Sequence, residues 1–121
     1  MSKKKNQIEL RDYLNDILEM ISASKEFTRN LTQAEFKRDK KTVFAVIRCL
    51  EVIGEASKQI PLQIRKDYEH IPWEDIASMR NKLIHEYFGA DMDIVWNTVQ
   101  EDLKQLKNVI RKILKEVENK I

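Results

Sequence analysis

The feature that most constrains this chain is its shortage of residues that turn a backbone. Only two glycines and two prolines occur among 121 residues. An all-β domain of this size needs turn residues roughly every 8–12 positions. Helices need far fewer, so the chain is expected to be all-α. A hydrophobic content of 42% suffices for one core without disulfides or a structural metal. A single domain over residues 1–121 is expected, with 1–6 as a disordered tail.

Apolar periodicity locates the helices. Over 7–23, Ile8, Tyr13, Leu14, Ile17, Leu18 and Ile21 recur at three- and four-residue steps, the stripe of an amphipathic helix. Thr32 and Glu35 have capping-box spacing and predict a short turn of helix over 33–36. A second long helix is predicted from near Asp39 to Pro61, with Val43, Val46, Ile47, Leu50, Ile53, Ser57 and Ile60 on one face. Gly54 lies inside it at a cost of about 1 kcal/mol relative to alanine. Either a neighbouring helix approaches closely there or the weak point is simply tolerated.

Pro72 followed by Trp73, Glu74 and Asp75 marks a further helix start. That helix is expected to run through Ala77, Met79 and Leu83 to about His85 or Tyr87 and to end before Gly89. Asp91 is expected to cap the last helix. In it Val99, Leu103, Leu106, Ile110, Ile113 and Val117 form a heptad-like seam suited to shallow packing angles. The expected architecture is an up-down four-helix bundle with a short extra helix. Trp73 and Trp96 are read as core or interface anchors in preference to the alternative, nucleobase stacking platforms.

Charge and composition exclude several functions. Twenty-two basic and twenty acidic residues leave a net charge of +2, so any RNA contact must come from a local patch. Cys49 is the single cysteine; it cannot form an intrachain disulfide and is read as a small core residue. No apolar run approaches the ~20 residues of a membrane span, and MSKKKNQIEL lacks the apolar core of a signal peptide. A cytoplasmic location is expected. There is no glycine-rich phosphate loop, Cys/His cluster or HExxH pair, so neither a metal nor a cofactor is expected.

The densest polar chemistry lies in residues 80–87, RNKLIHEY. On a helix Asn81 and His85 share a face one turn apart, and Arg80 and Tyr87 nearly align, whereas Arg80 and His85 are about 140° apart. Cleavage of RNA by its own 2′-hydroxyl needs a base near neutral pKa, an acid for the leaving oxygen and positive charge for the phosphorane. Histidine and arginine supply these roles without a metal. One such histidine per chain does not readily provide both acid and base, so a homodimer pairing two copies is expected. The same spacing also fits a purely structural reading, with Arg80 paired to Glu74 or Glu86 and His85 capping a helix end. His70, beside a proline near a helix start, is read as exposed or capping.

The string MRNKLIHEYF, with PWEDIAS before it and GADMDIVWNTVQEDLKQL after it, resembles the HepT-like branch of the HEPN superfamily. CLEVIGEASKQIP, residues 49–61, resembles the family's second-helix signature, and Ser78 stands where the family commonly has glycine. The resemblance implies a metal-independent endoribonuclease at a homodimer cleft, with Arg80, Asn81 and His85 as catalytic residues and RNA as substrate. It further implies a type VII-like toxin–antitoxin pair. In such a pair a minimal nucleotidyltransferase antitoxin neutralises the toxin by transferring AMP to a tyrosine, here Tyr87. Glu55 is not placed in the catalytic set. The alternative is a non-catalytic helical module that holds a nucleotide or docks on a nucleotidyltransferase.

Overall fold

The computed structural model describes residues 3–79 and 92–121, and every regular element among them is helical. In chain order these are α1 (Lys3–Thr28), α2 (Gln33–Arg38), α3 (Lys40–Ser57), α4 (Leu62–Lys66), α5 (Trp73–Ala77), α6 (Met92–Asn97), a π-helical turn (Thr98–Asp102) and α7 (Leu103–Lys120). The all-α class expected from the sequence is what the chain adopts. Its up-down four-helix arrangement would include residues 80–91, which lie outside the described ones, as do Gly89 and the predicted cap Asp91.

Helix α1 is the central element and packs against both α3 and α7. Its buried stripe is Leu10, Leu14, Ile17 and Ile21. Facing it are Val46, Leu50 and Ile53 of α3 and Leu106, Ile110 and Ile113 of α7. Each such fully buried aliphatic side chain stabilises the fold by about 1.5–3 kcal/mol relative to exposure. All six residues of the predicted seam are buried. Tyr13 is not part of the α1 stripe: it is 38% exposed, and Leu10 takes the inward position.

Helix α1 also runs one turn past Ala23. The buried face continues there in polar residues, Ser24 and Thr28. Their hydroxyls donate to the carbonyls of Ile21 (2.9 Å) and Ser24 (3.0 Å), which satisfies them inside the core. An apolar pattern cannot register such a continuation. The chain then turns at Asn30, in the left-handed region with φ 65°, where asparagine is better tolerated than most residues.

The caps follow the sequence closely. Thr32 Oγ1 accepts from the Glu35 amide at 3.1 Å, and Glu35 Oε1 accepts from the Thr32 amide at 2.9 Å, completing the capping box. Asp39 caps α3 by accepting from the Thr42 amide (3.1 Å) and hydroxyl (2.7 Å). Helix α3 stops at Ser57 rather than at Pro61, its end tightened by bonds from the Gln59 amide to Ala56 O and from the Ile60 amide to Ser57 O. In the last helical segment the Thr98 hydroxyl donates to Ile94 O at 2.8 Å, and the π turn begins at that residue. Among the described residues no helix is long and apolar enough to cross a membrane.

Three carboxylates are held below their ordinary values. The bonds from Thr32 lower Glu35, those from Thr42 lower Asp39, and those from Lys37 and Gln33 lower Asp93. Because each folded value is depressed, its stabilisation is complete above the ordinary carboxylate range and is lost as pH falls through the lowered values. The melting temperature is expected to hold from neutrality to about pH 5 and to fall below about pH 4. In Asp39→Asn the acid decline measured by circular dichroism should be shallower. An unchanged slope would remove the cap from the account.

Candidate functional site

The segment 80–87, singled out for its chemistry, lies between the two described stretches, so Arg80, Asn81, His85 and Tyr87 are outside the described residues. What the structure shows is how the chain is delivered to that segment and taken up after it. The approach is through α5, a single turn of helix that begins at Trp73. Trp73 is buried, and its indole Nε1 donates to the carbonyls of Tyr68 (3.0 Å) and Arg65 (3.2 Å). The ring therefore fixes α5 to the turn that follows α4.

Against α3, α5 comes to backbone distance. A Cβ placed on Gly54 would lie 2.7 Å from the carbonyl oxygen of Ile76 and 3.5 Å from that of Ala77. Of the two readings of this glycine, close approach of a neighbouring helix is the correct one. Ser57, three residues further on the same helix, is buried, and its hydroxyl has no hydrogen-bond partner among the described residues. The helix predicted from Trp73 to beyond Leu83 is not continuous. It closes at Ala77, with the Ser78 amide bonded to Glu74 O (2.9 Å) and its hydroxyl to Asp75 O (3.2 Å), and Met79 is helical again. A serine side chain that bonds back to the backbone competes with helix continuation in this way.

On the far side, Met92 and Trp96 of α6 pack on the core, and Asp93 is gripped from α2. Gln33 Nε2 donates to Asp93 Oδ1 at 2.6 Å, and Lys37 Nζ lies 3.1 Å from the same oxygen. The rings of Phe36 and Trp96 meet at 5.4 Å with a 43° tilt. Sequence reasoning missed this clasp because its partners are about sixty positions apart and carry no motif. Both tryptophans act as packing anchors, as their positions suggested.

The remaining candidates fall outside this frame. Glu55 is exposed and lies 3.3 Å from Lys58 Nζ. His70 is exposed, its ring edge-on to Tyr68. Cys49 is buried in α3, and burial pushes its thiol above the ordinary value, away from the reactive thiolate. Among the described residues no cluster of His, Cys, Asp or Glu could hold a metal ion.

Comparison with known proteins is informative over most of the chain. The family model described as "Ribonuclease HepT-like" matches residues 17–113, which includes 80–87. The chain is 51% identical to the protein named "Probable ribonuclease HepT" of Thermococcus cleftensis, over 87% of this chain and 96% of that one. It is 46% identical to a protein of Methanocaldococcus jannaschii named "Putative RNase", over 93% of each. A longer protein of the same organism, named "Gamma-glutamylcyclotransferase and putative RNase", is 43% identical over 91% of this chain and 50% of its own length. No solved structure gives a significant match.

Gly54→Ala tests the frame. Alanine gains about 1 kcal/mol of helix propensity. Against this stands a clash with backbone, which cannot rotate away, and overpacking typically costs 1–3 kcal/mol. A net loss on the order of 1 kcal/mol is expected, read as a lower urea midpoint at unchanged slope. A raised midpoint would show that α5 is free to shift.

Proposed function

This chain belongs to the ribonuclease HepT-like family, and from that premise we propose that it is a metal-independent endoribonuclease toxin acting in the cytoplasm. The observation that carries the reading is the family match over residues 17–113, which takes in Arg80, Asn81 and His85 at the spacing of the family motif. In the proposed reaction the RNA 2′-hydroxyl attacks the adjacent phosphorus and the bond to the 5′-oxygen breaks. The products are a 2′,3′-cyclic phosphate and a 5′-hydroxyl end. His85 removes the 2′ proton or protonates the leaving 5′-oxygen. Arg80 neutralises the charge that builds on the phosphorane, and Asn81 hydrogen-bonds and orients the phosphate.

One motif histidine per chain calls for a second copy, so the working form is a homodimer with a composite site. The chain is read as one domain. Its likeness to half of a longer two-activity protein supports a unit that can be joined to others. Regulation follows the family pattern: a minimal nucleotidyltransferase antitoxin transfers AMP from ATP to the Tyr87 hydroxyl and releases pyrophosphate. A bulky anionic group beside Arg80 and His85 would fill the phosphate space and repel RNA.

Purified protein in excess chelator is expected to cut mixed RNA. Arg80→Ala and His85→Ala should each abolish cutting without unfolding the chain, and Arg80→Lys should be strongly impaired, because an ammonium cannot make a two-pronged phosphate contact. Retention of activity within a few-fold in His85→Ala would move catalysis elsewhere, and a wild type that cuts no RNA would favour the alternative, a non-catalytic binding module. Light scattering is expected to give twice the 14.4 kDa chain mass. A fully active monomer would dispose of the composite site.

The switch is tested by co-expression with the partner nucleotidyltransferase. Mass spectrometry should find whole AMP units on Tyr87 that are absent in Tyr87→Phe. Neutralisation with Tyr87 unmodified would mean that the partner acts by binding alone.

A further inference from the structure

With a net charge of +2, this chain can attract a polyanion only through a local concentration of cations. Among the described residues the structure contains one, where the end of α1 faces α6, the π turn and the start of α7. A cleft of about 590 Å³ opens there, a volume within the usual range for ligand sites. Lys25 and Arg29 line it from the α1 side, and Lys104 and Lys107 from α7. Glu26 is the sole acidic lining residue among the described residues, and Arg29 engages it at 3.2 Å. Lys25, Lys104 and Lys107 have no ion-pair partner among the described residues.

The helix dipole accounts for cations at the end of α1. It does not account for Lys104 and Lys107, which lie in the first two turns of α7 yet line the same cleft. Two further features suit a nucleic acid strand. Trp96 lines the cleft and is only partly buried, its ring held by Phe36. Gln100 Nε2 donates to the buried Thr28 hydroxyl at 3.2 Å, which fixes the amide across the cleft. Its carbonyl oxygen and second N–H are left to meet a polar group.

We propose that this cleft is an accessory groove for single-stranded RNA, with phosphates on Lys25, Lys104 and Lys107, a base against Trp96 and a base edge on Gln100. Unpaired cations, an aromatic surface and a fixed amide are what a single strand uses; a duplex hides its bases from the last two. Trp96 stands four residues, about 6 Å along the helix axis, from Met92, where the chain leaves the motif-bearing segment. The assignment rests on the ribonuclease reading and adds to it a site for RNA beyond the scissile bond.

The test is fluorescence anisotropy of a labelled twelve-nucleotide oligouridine with the full chain, comparing wild type with the triple variant Lys25→Ala/Lys104→Ala/Lys107→Ala. Affinity is expected to fall at least tenfold. The slope of log affinity against log salt should become shallower by roughly 2, since each single-strand phosphate contact contributes about 0.7. On a long RNA substrate the variant should show a raised KM at nearly unchanged kcat. Should the triple variant misfold, Lys104→Glu on the exposed surface of α7 carries the same test. Equal affinity and salt slope in wild type and variant overturn the groove even if both cut RNA. Binding that depends on the lysines in a wild type that cuts nothing supports the groove and refutes the ribonuclease reading instead.

Discussion

The backbone contact between α3 and α5 is the constraint on which the candidate site depends. Gly54 is the only kind of residue that lets the Ile76 carbonyl come so near, since a Cβ would stand 2.7 Å from it. Once the two backbones meet there, α5 has little freedom to slide along α3. Trp73 holds it from the other side through two carbonyls. A single turn of helix is too short to be stable alone. Its geometry is imposed by these neighbours, and the chain therefore enters residues 80–91 from a defined point.

The far end is held by different physics. Asp93 is fixed by one amide and one ammonium from α2, and α2 is itself a six-residue helix that depends on the Thr32–Glu35 capping box. Phe36 supplies the apolar part of the joint, fully buried beneath Trp96. The entry is thus fixed by steric contact and the exit by charge and caps. Both rest on α1, whose fully buried Leu14 and Ile17 tie α3 to α7.

The parts of this arrangement that are periodic or local were legible in the sequence. The capping box, the Asp39 start of α3 and the seam from Val99 to Val117 all follow from spacing within one helix or turn, whereas the two readings of Gly54 were separated only by the approach of α5. Three features were not legible, each for a physical reason. Ser24 and Thr28 extend a buried face with hydroxyls satisfied by their own helix, so the apolar pattern ends one turn before the helix does. Ser78 interrupts a sequence that reads as helical throughout. The clasp of Asp93 by Gln33 and Lys37 joins residues that no local rule connects. The chemistry of 80–87 was legible only as a string of side-chain types with a family resemblance, because spacing on one helix says nothing of a second copy or a bound strand.

The placement of charge joins these observations. The chain is nearly neutral, yet its acids and bases are not evenly matched in space. Glu35 and Asp39 are occupied as helix caps and Asp93 as the anchor of α6, all near α2. Carboxylates committed to backbone amides and short-range partners are not free to neutralise distant lysines. Among the described residues, the cleft between α1 and α7 is lined by a single acid, Glu26, which Arg29 already engages. A protein of low net charge can present a polyanion with a locally attractive surface by this means while limiting non-specific attraction elsewhere. Specific capture by a cleft also demands polar groups that are held in place, which the Thr28–Gln100 bond supplies. The same hydroxyl that lets α1 run past its apolar stripe therefore fixes the amide that faces the cleft.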